Sequence, residues 1–131
     1  MRILIADDDK VSRNINRDIL SLSGSVDAVV NGAEAVQIFK TALHENDPYE
    51  LICLDISMPF FDGMYALEEI RSLERAKMIS PEKSVKIVMV TSSSDRRDIL
   101  NARGKCNGYL LKPLSTGSMD KLLSRFKESQ H

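Results

Sequence analysis

The chain has 131 residues, enough for one domain that removes about two-thirds of its unfolded surface from water. Eighteen lysines and arginines against nineteen aspartates and glutamates leave a net charge of −1, which argues against a nucleic-acid binder relying on a basic field. A hydrophobic content of 43% with 28% charged residues excludes wholesale disorder, and no apolar run is long enough for a membrane span or a signal peptide.

Short apolar runs alternate with longer amphipathic ones. Arg2–Ala6 reads as a strand and ends in Asp7, Asp8 and Asp9. Val11, Ile15, Ile19 and Leu22 then recur at helical spacing, and Gly24 stands where such a helix would end in the left-handed conformation. Ser25–Val30 reads as a second strand, with Val26, Ala28 and Val30 on one face. Asn31 is placed to cap a helix carrying Val36, Phe39 and Leu43, which Asp47-Pro48 breaks. Glu50–Leu54 is apolar after its first residue and ends at Asp55, as suits a strand covered on both faces. Pro59 and Asp62-Gly63 mark a loop before a helix with Met64, Leu67, Ile70 and Leu73. A polar connection, Ala76–Lys86, leads to the buried strand Val85–Val90, which ends at Thr91. Asp95–Arg103 suits a short polar helix, and Tyr109–Leu111 a short strand ending in Lys112-Pro113. A last helix from about Ser115 presents Met119, Leu122, Leu123 and Phe126.

Five strand–helix pairs in strict alternation predict an α/β domain, a (βα)5 parallel sheet with right-handed crossovers and helices on both faces. Ligands in such sheets sit at the carboxyl ends of the strands. Asp7 and Asp8, Asp55, Thr91 and Lys112 all fall there, a gathering that core packing does not require.

Three converging carboxylates repel and stay ionised only beside a cation. Mg²⁺ is the natural one, since it takes one or two carboxylates, keeps several waters and accepts phosphate oxygens. With one lysine and one hydroxyl added, the edge suits a phosphoryl group and its metal, and Asp55 could itself be the nucleophile.

These residues match a family. Ala6-Asp7-Asp8-Asp9, Leu54-Asp55-Ile56-Ser57-Met58-Pro59 with Asp62-Gly63, Val90-Thr91-Ser92, and Tyr109-Leu110-Leu111-Lys112-Pro113 together resemble the receiver domain of two-component response regulators, in its stand-alone CheY-like form. The resemblance spans residues 2 to about 127. It implies a doubly wound sheet of strand order 2-1-3-4-5, filling residues 1–131 as a single receiver domain with no output domain. It further implies that Asp55 accepts a phosphoryl group from a sensor histidine kinase or histidine phosphotransfer protein. Asp8, Asp55 and the Ser57 backbone carbonyl would bind Mg²⁺ directly, and Asp7 mostly through a metal-bound water. Lys112 would pair with Asp55 and then with the phosphate. Thr91 would move to meet that phosphate, and Tyr109 would turn inward, altering the face of the fourth helix, fifth strand and fifth helix. Output would pass to a separate effector protein, from a cytoplasmic monomer or weak phosphorylation-dependent dimer that touches neither nucleic acid nor membrane. Asp9 lies outside the family's acidic pair. The connection around Ala76–Ser84 is longer than in minimal members. Ser57 and Ser93, at positions where the family tunes phosphate lifetime, are small and polar, which suggests a half-life on the order of minutes.

Other readings compete. A phosphohydrolase of the haloacid-dehalogenase type also uses an aspartyl nucleophile, Mg²⁺, a hydroxyl and a lysine, and Asp7-Asp8-Asp9-Lys10-Val11 matches its nucleophile motif. That family needs a later acidic pair and a cap, for which only Asp120 and Glu128 and little chain remain. The expected role is therefore a signalling switch and not an enzyme. Cys53 and Cys106 form no disulfide framework, which fits a reducing cytosol, and His44 and His131 lack the neighbours of a zinc site. Phe60 and Phe61 beside the acidic edge suit a cover for the site rim, an apolar contact for the kinase or, equally, loop aromatics folded back on the sheet edge. The Arg96-Arg97 pair reads as a solvated face.

Overall fold

A computed structural model describes residues 1–92 and 96–128. The elements run β1 (Arg2–Ala6), α1 (Lys10–Leu20), β2 (Ser25–Val29), α2 (Gly32–His44), β3 (Leu51–Asp55), α3 (Gly63–Ala76), β4 (Lys86–Thr91), α4 (Arg96–Ala102), β5 (Gly108–Leu111) and α5 (Thr116–Glu128). The strands form one parallel sheet in the order β2-β1-β3-β4-β5. The (βα)5 architecture read from the sequence is thus the observed one. The expected roles of Ser93 and His131 and the expected helix start at Asp95 lie outside the described residues.

Alternation along the central strands creates two cores, because successive side chains of a strand point to opposite faces. Leu4, Ile52, Leu54, Ile87 and Met89 pack with Phe39 of α2 and Leu67 and Ile70 of α3. Ile3, Ile5, Cys53, Val88 and Val90 pack with Leu20 of α1 and Met119 and Leu122 of α5. Burial pushes the Cys53 thiol up to about 12, so this residue is a small core hydrophobe with no reactive thiolate near neutral pH.

Helix starts are set by side-chain caps. The carboxylates of Asp9 and Asp62 and the Asn31 carboxamide accept the Ser12, Tyr65 and Glu34 backbone N–H groups, and Glu34 reaches back to the Val30 N–H. Each cap typically contributes about 1 kcal/mol. The third aspartate of the Asp7–Asp9 run therefore belongs to the helix and not to the acidic site.

Helix α1 departs from expectation. It ends at Leu20, with Ser21 capping it in a right-handed conformation. Gly24 has no left-handed φ; a Cβ there would collide with the Met1 carbonyl oxygen, which accepts the Ser25 N–H. Close approach of two backbones, and not a helix cap, explains this glycine. The expected apolar face is also misplaced, since Val11 is 67% and Leu22 78% exposed while Asn16 and Leu20 are buried. Four-residue spacing defines a stripe but not which neighbouring stripe meets the sheet. Strand β2 stops one residue early, leaving Val30 exposed. Lys112-Pro113 is a cis peptide, as its X–Pro sequence permits.

Candidate functional site

Asp7 and Asp8 follow β1, Asp55 closes β3, Thr91 closes β4 and Lys112 follows β5. Because β1, β3, β4 and β5 are neighbours in the sheet, residues far apart in sequence arrive at one edge. Carboxylate oxygens of Asp7, Asp8 and Asp55 all lie within 4.8 Å of one another. Asp7 is 1% exposed and Asp55 3%, whereas Asp8 faces solvent. Asp55 Oδ2 accepts from Lys112 Nζ at 2.6 Å, and Asp55 Oδ1 accepts the Ser57 N–H at 3.1 Å.

Asp7 is supplied on one side only. Its Oδ1 accepts the Asp9 N–H, and its carbonyl accepts from Arg13 of α1, a tie that sequence reading missed. Its Oδ2 is buried and among the described residues accepts no hydrogen bond, being paired only by a long ion pair to Lys112 Nζ at 3.6 Å. An ionised oxygen stripped of water is costly unless a partner joins it. The donor set, three carboxylates of which one buried oxygen accepts no hydrogen bond among the described residues, fits a hard divalent cation with oxygen ligands.

Burial raises the Asp55 carboxyl to about 6, with Lys112 and the Ser57 N–H pulling down and the Asp7 charge pushing up. Burial pulls the Lys112 ammonium down, but Asp55 and Asp7 outweigh it and hold it above its ordinary value. The lysine is therefore charged throughout the physiological range. Thr91 is buried, and its hydroxyl donates to the Ser92 carbonyl at 2.9 Å. Tyr109 lies on β5 opposite Met89 and is half-buried. Burial and a hydrogen bond to the Cys106 thiol raise its phenol. Cys106, for which the sequence suggested no function, is thus the neighbour of Tyr109.

The loop from β3 to α3 forms one rim. Phe60 and Phe61 both have left-handed backbones, at φ 53° and 64°. Such a conformation costs a residue with a β-carbon about 1 kcal/mol. It is held by the Gly32 N–H donating to the Phe61 carbonyl at 2.6 Å, and a Cβ at Gly32 would strike that same carbonyl. Phe60 is 81% and Phe61 55% exposed, so neither ring is packed down as a cover for the site or folded back on the sheet edge, two of the readings that the sequence left open.

At the opposite edge of the sheet, sequence reading missed a buried network. Arg71 of α3 donates to Glu74, the Val85 and Lys105 carbonyls and Asn107 Oδ1. Glu74 accepts the Val85 N–H and Asn107 the Ile87 N–H. In sequence, Arg71 and Glu74 look like an ordinary surface pair at helical spacing.

The family model for the response regulator receiver domain matches residues 3–124. The chemotaxis protein CheY of Halobacterium salinarum is 32% identical over 120 residues, covering 90% of this chain and 89% of that one. Hybrid signal transduction histidine kinase B of Dictyostelium discoideum is 33% identical over 129 residues, of which this chain spans only 6%. Among solved structures, the receiver domain of Saccharomyces cerevisiae Ssk1, crystallised with the phosphotransfer protein Ypd1, superposes with a TM-score of 0.80 at 27% identity, covering 99% of this chain and 90% of that one. The receiver domain of a Pseudomonas aeruginosa sensor histidine kinase, with magnesium in its active-site cleft, gives 0.76 at 29% identity and 95% coverage of both. The haloacid-dehalogenase alternative finds no support in fold or family, and Asp9, which its motif would enlist, is spent on capping α1. Among the described residues no helix is long and apolar enough to cross a membrane. A parallel sheet in the order 2-1-3-4-5 with its acids at one edge thus places this chain in the response regulator receiver family.

Proposed function

We propose that the chain is a phosphorylation-controlled switch in which Asp55 accepts a phosphoryl group from a histidine kinase or histidine phosphotransfer protein. The carrying observation is the buried Asp7 Oδ2, without a hydrogen bond among the described residues and only loosely ion-paired to Lys112, beside an Asp55 carboxylate that Lys112 already holds. In the transfer, the P–N bond of the donor's phosphohistidine breaks as a bond forms from an Asp55 oxygen to phosphorus. The departing imidazole nitrogen keeps the bonding pair and takes up a proton.

Asp8, Asp55 and the Ser57 carbonyl would hold Mg²⁺, with Asp7 acting through a water. Bound there, the metal supplies positive charge opposite the phosphoryl oxygens. Lys112 adds a second positive charge, and the Thr91 hydroxyl turns from the Ser92 carbonyl to donate to the phosphate. Tyr109 then moves inward, and the α4–β5–α5 face changes toward a separate effector protein. Phosphate shifts an existing equilibrium because Lys112 and Thr91 contact it fully in only one of the two arrangements.

Residues 1–131 act on this reading as one receiver unit. With small Ser57 exposed beside the acceptor, the acyl phosphate hydrolyses with a half-life on the order of minutes. The test is intact-mass measurement after incubation with acetyl phosphate and Mg²⁺. The expected result is one acid-labile gain of about 80 Da, a single phosphoryl group, absent from Asp55→Asn. Labelling that persists in Asp55→Asn, or none in the wild type, defeats the proposal.

A further inference from the structure

At the edge of the sheet opposite the acids, a cavity of about 310 Å³ opens between the end of α3, the connection to β4 and the loop before β5. That volume suits a small organic molecule. Both walls are built by the fold itself. The connection turns back on itself, with the Lys83 and Ser84 N–H groups donating to the Ser80 and Pro81 carbonyls. Arg71 ties the facing loop to α3 through the Lys105 carbonyl at 2.7 Å and Asn107 Oδ1 at 2.9 Å.

The acceptors of this lining are spent. The two Glu74 carboxylate oxygens take the Arg71 guanidinium and the Val85 N–H. The Leu73, Glu74 and Arg75 carbonyls at the end of α3 accept the Lys77, Ile79 and Met78 N–H groups. Donors, in contrast, are left over. Arg71 uses four of its five N–H groups among the described residues. Two donors on Oδ1, from Arg71 and the Ile87 N–H, fix the orientation of the Asn107 carboxamide, and its NH2 donates to no group among the described residues. Arg75 is exposed and pairs with no acid among the described residues, whereas Lys105 pairs with Glu68, which does not line the cavity. Ile79 and Pro81 add an apolar wall.

We propose that this cavity is a binding site for a small organic anion, a carboxylate or phosphate head on a short apolar body, and that its occupancy is felt at Tyr109. Arg71, Arg75 and Lys105 face a single acid, Glu74, whose charge Arg71 already takes up. A lining with unused donors and occupied acceptors offers a partner to an anionic head and none to a cation. The head is held by Arg75 and the Asn107 NH2, since hydrogen bonds from a guanidinium to carboxylate or phosphate are among the strongest available. The body lies against Ile79 and Pro81. Cys106 also lines the cavity, and its thiol is the hydrogen-bond neighbour of the Tyr109 phenol. A ligand that binds the two positions of Tyr109 unequally shifts the balance between them, and phosphate on Asp55 then changes the ligand's affinity by the same factor. This coupling rests on the switch reading of Asp55, whereas the site itself does not.

The test is titration of the full chain, at low salt and without Mg²⁺, followed by calorimetry and by backbone amide NMR shifts. The probes are phenylphosphonate and benzoate, with benzamide as their neutral counterpart. Binding of either acid with a Kd of about 1 mM or tighter is expected, with shifts concentrated at Ile79 and Gly104–Asn107. Benzamide should bind at least about tenfold more weakly. Arg75→Gln, on an exposed side chain, and Asn107→Asp, which keeps both bonds accepted by Oδ1, should each weaken the acid by about tenfold. Lys121→Gln on α5, across the sheet, controls for loss of a surface cation and should change nothing. The site is overturned if neither acid binds below about 10 mM, if benzamide binds as tightly, or if both cavity variants stay within about twofold of wild type. For the coupling, saturating acid should move the ¹⁹F signal of fluorotyrosine at Tyr109, and phosphorylation of Asp55 should change the Kd by about threefold or more. An unmoved signal with an unchanged Kd overturns the coupling. If acetyl phosphate fails to label Asp55, the switch reading and the coupling fall together, while the titrations still judge the site.

Discussion

Lys112 Nζ stands 2.6 Å from Asp55 Oδ2, although the two residues are separated by 57 positions in sequence. The strand order brings them together, because β3 and β5 flank β4 and both run toward the same edge. The pair gives the buried carboxylate a charge partner, so on the proposed reading the lysine would support Asp55 before any phosphate arrives. Lys112→Ala is expected to take up phosphate from acetyl phosphate yet fail to rearrange. Because the lysine is partly exposed, the loss of stability should be only about 1 kcal/mol. Intact mass reads the adduct, and the ¹⁹F signal of fluorotyrosine at Tyr109 reads the rearrangement. A normal shift of that signal in phosphorylated Lys112→Ala would remove the role assigned to the lysine.

Asp7 is the next test, because among the described residues its buried Oδ2 has no hydrogen-bond partner. Asp7→Asn removes an incompletely paired buried charge and should stabilise the metal-free protein by about 1–2 kcal/mol. The same change should abolish most of the rise in Tm produced by Mg²⁺. Thermal melts with and without Mg²⁺ measure both effects, and an unchanged Mg²⁺ response would place the metal elsewhere.

The pH dependence follows from Asp55. Its carboxyl titrates near 6 in the fold against an ordinary value of 3.8. Between those values the folded chain holds the proton that the unfolded chain has lost. Stability from this group therefore falls as pH rises through that window, by on the order of 2–3 kcal/mol in all without metal. Urea titrations from pH 4 to 7 should show this slope in the wild type and lose it in Asp55→Asn. Since a cation favours the ionised carboxylate, added Mg²⁺ should stabilise more at pH 7 than at pH 5. Parallel pH curves for the two proteins would contradict the assignment.

Arg71 offers a structural prediction away from the acids. Among the described residues its bonded partners lie in α3, just before β4 or in the loop before β5. Arg71→Met leaves Glu74 buried without its cation and should cost about 3 kcal/mol. Amide exchange should quicken at Lys105, Cys106 and Asn107 first, since those residues lose their anchor to α3. Uniform quickening across the sheet would mean that the network does not specifically hold this loop.

Strand identity was legible because central strands of a parallel sheet are continuous apolar runs, and each such run here ends in a chemically distinct residue. That signal alone put Asp7, Asp8, Asp55, Thr91 and Lys112 at strand ends, and the sheet order brings those ends to one edge. The stripe of α1 was not, since Val11 and Leu22 fit the helical period as well as Leu20 does, and only packing on the sheet separates them. Gly24 misled for a related reason: a glycine records a need for space or for a left-handed φ, and the sequence does not say which.

By itself, then, the sequence determined the order of elements and which residues end the strands, because both follow from local periodicity and turn chemistry. Only the tertiary structure decided what those ends do to one another. Placing β1 and β5 on either side of β3 and β4 set the 2.6 Å ion pair, left Asp7 Oδ2 without a hydrogen-bond partner and raised the Asp55 carboxyl. Packing of Gly32 against the Phe61 carbonyl likewise holds the loop that presents Phe60. These are long-range effects of burial and charge, fixed by the sheet order and invisible to any window along the chain.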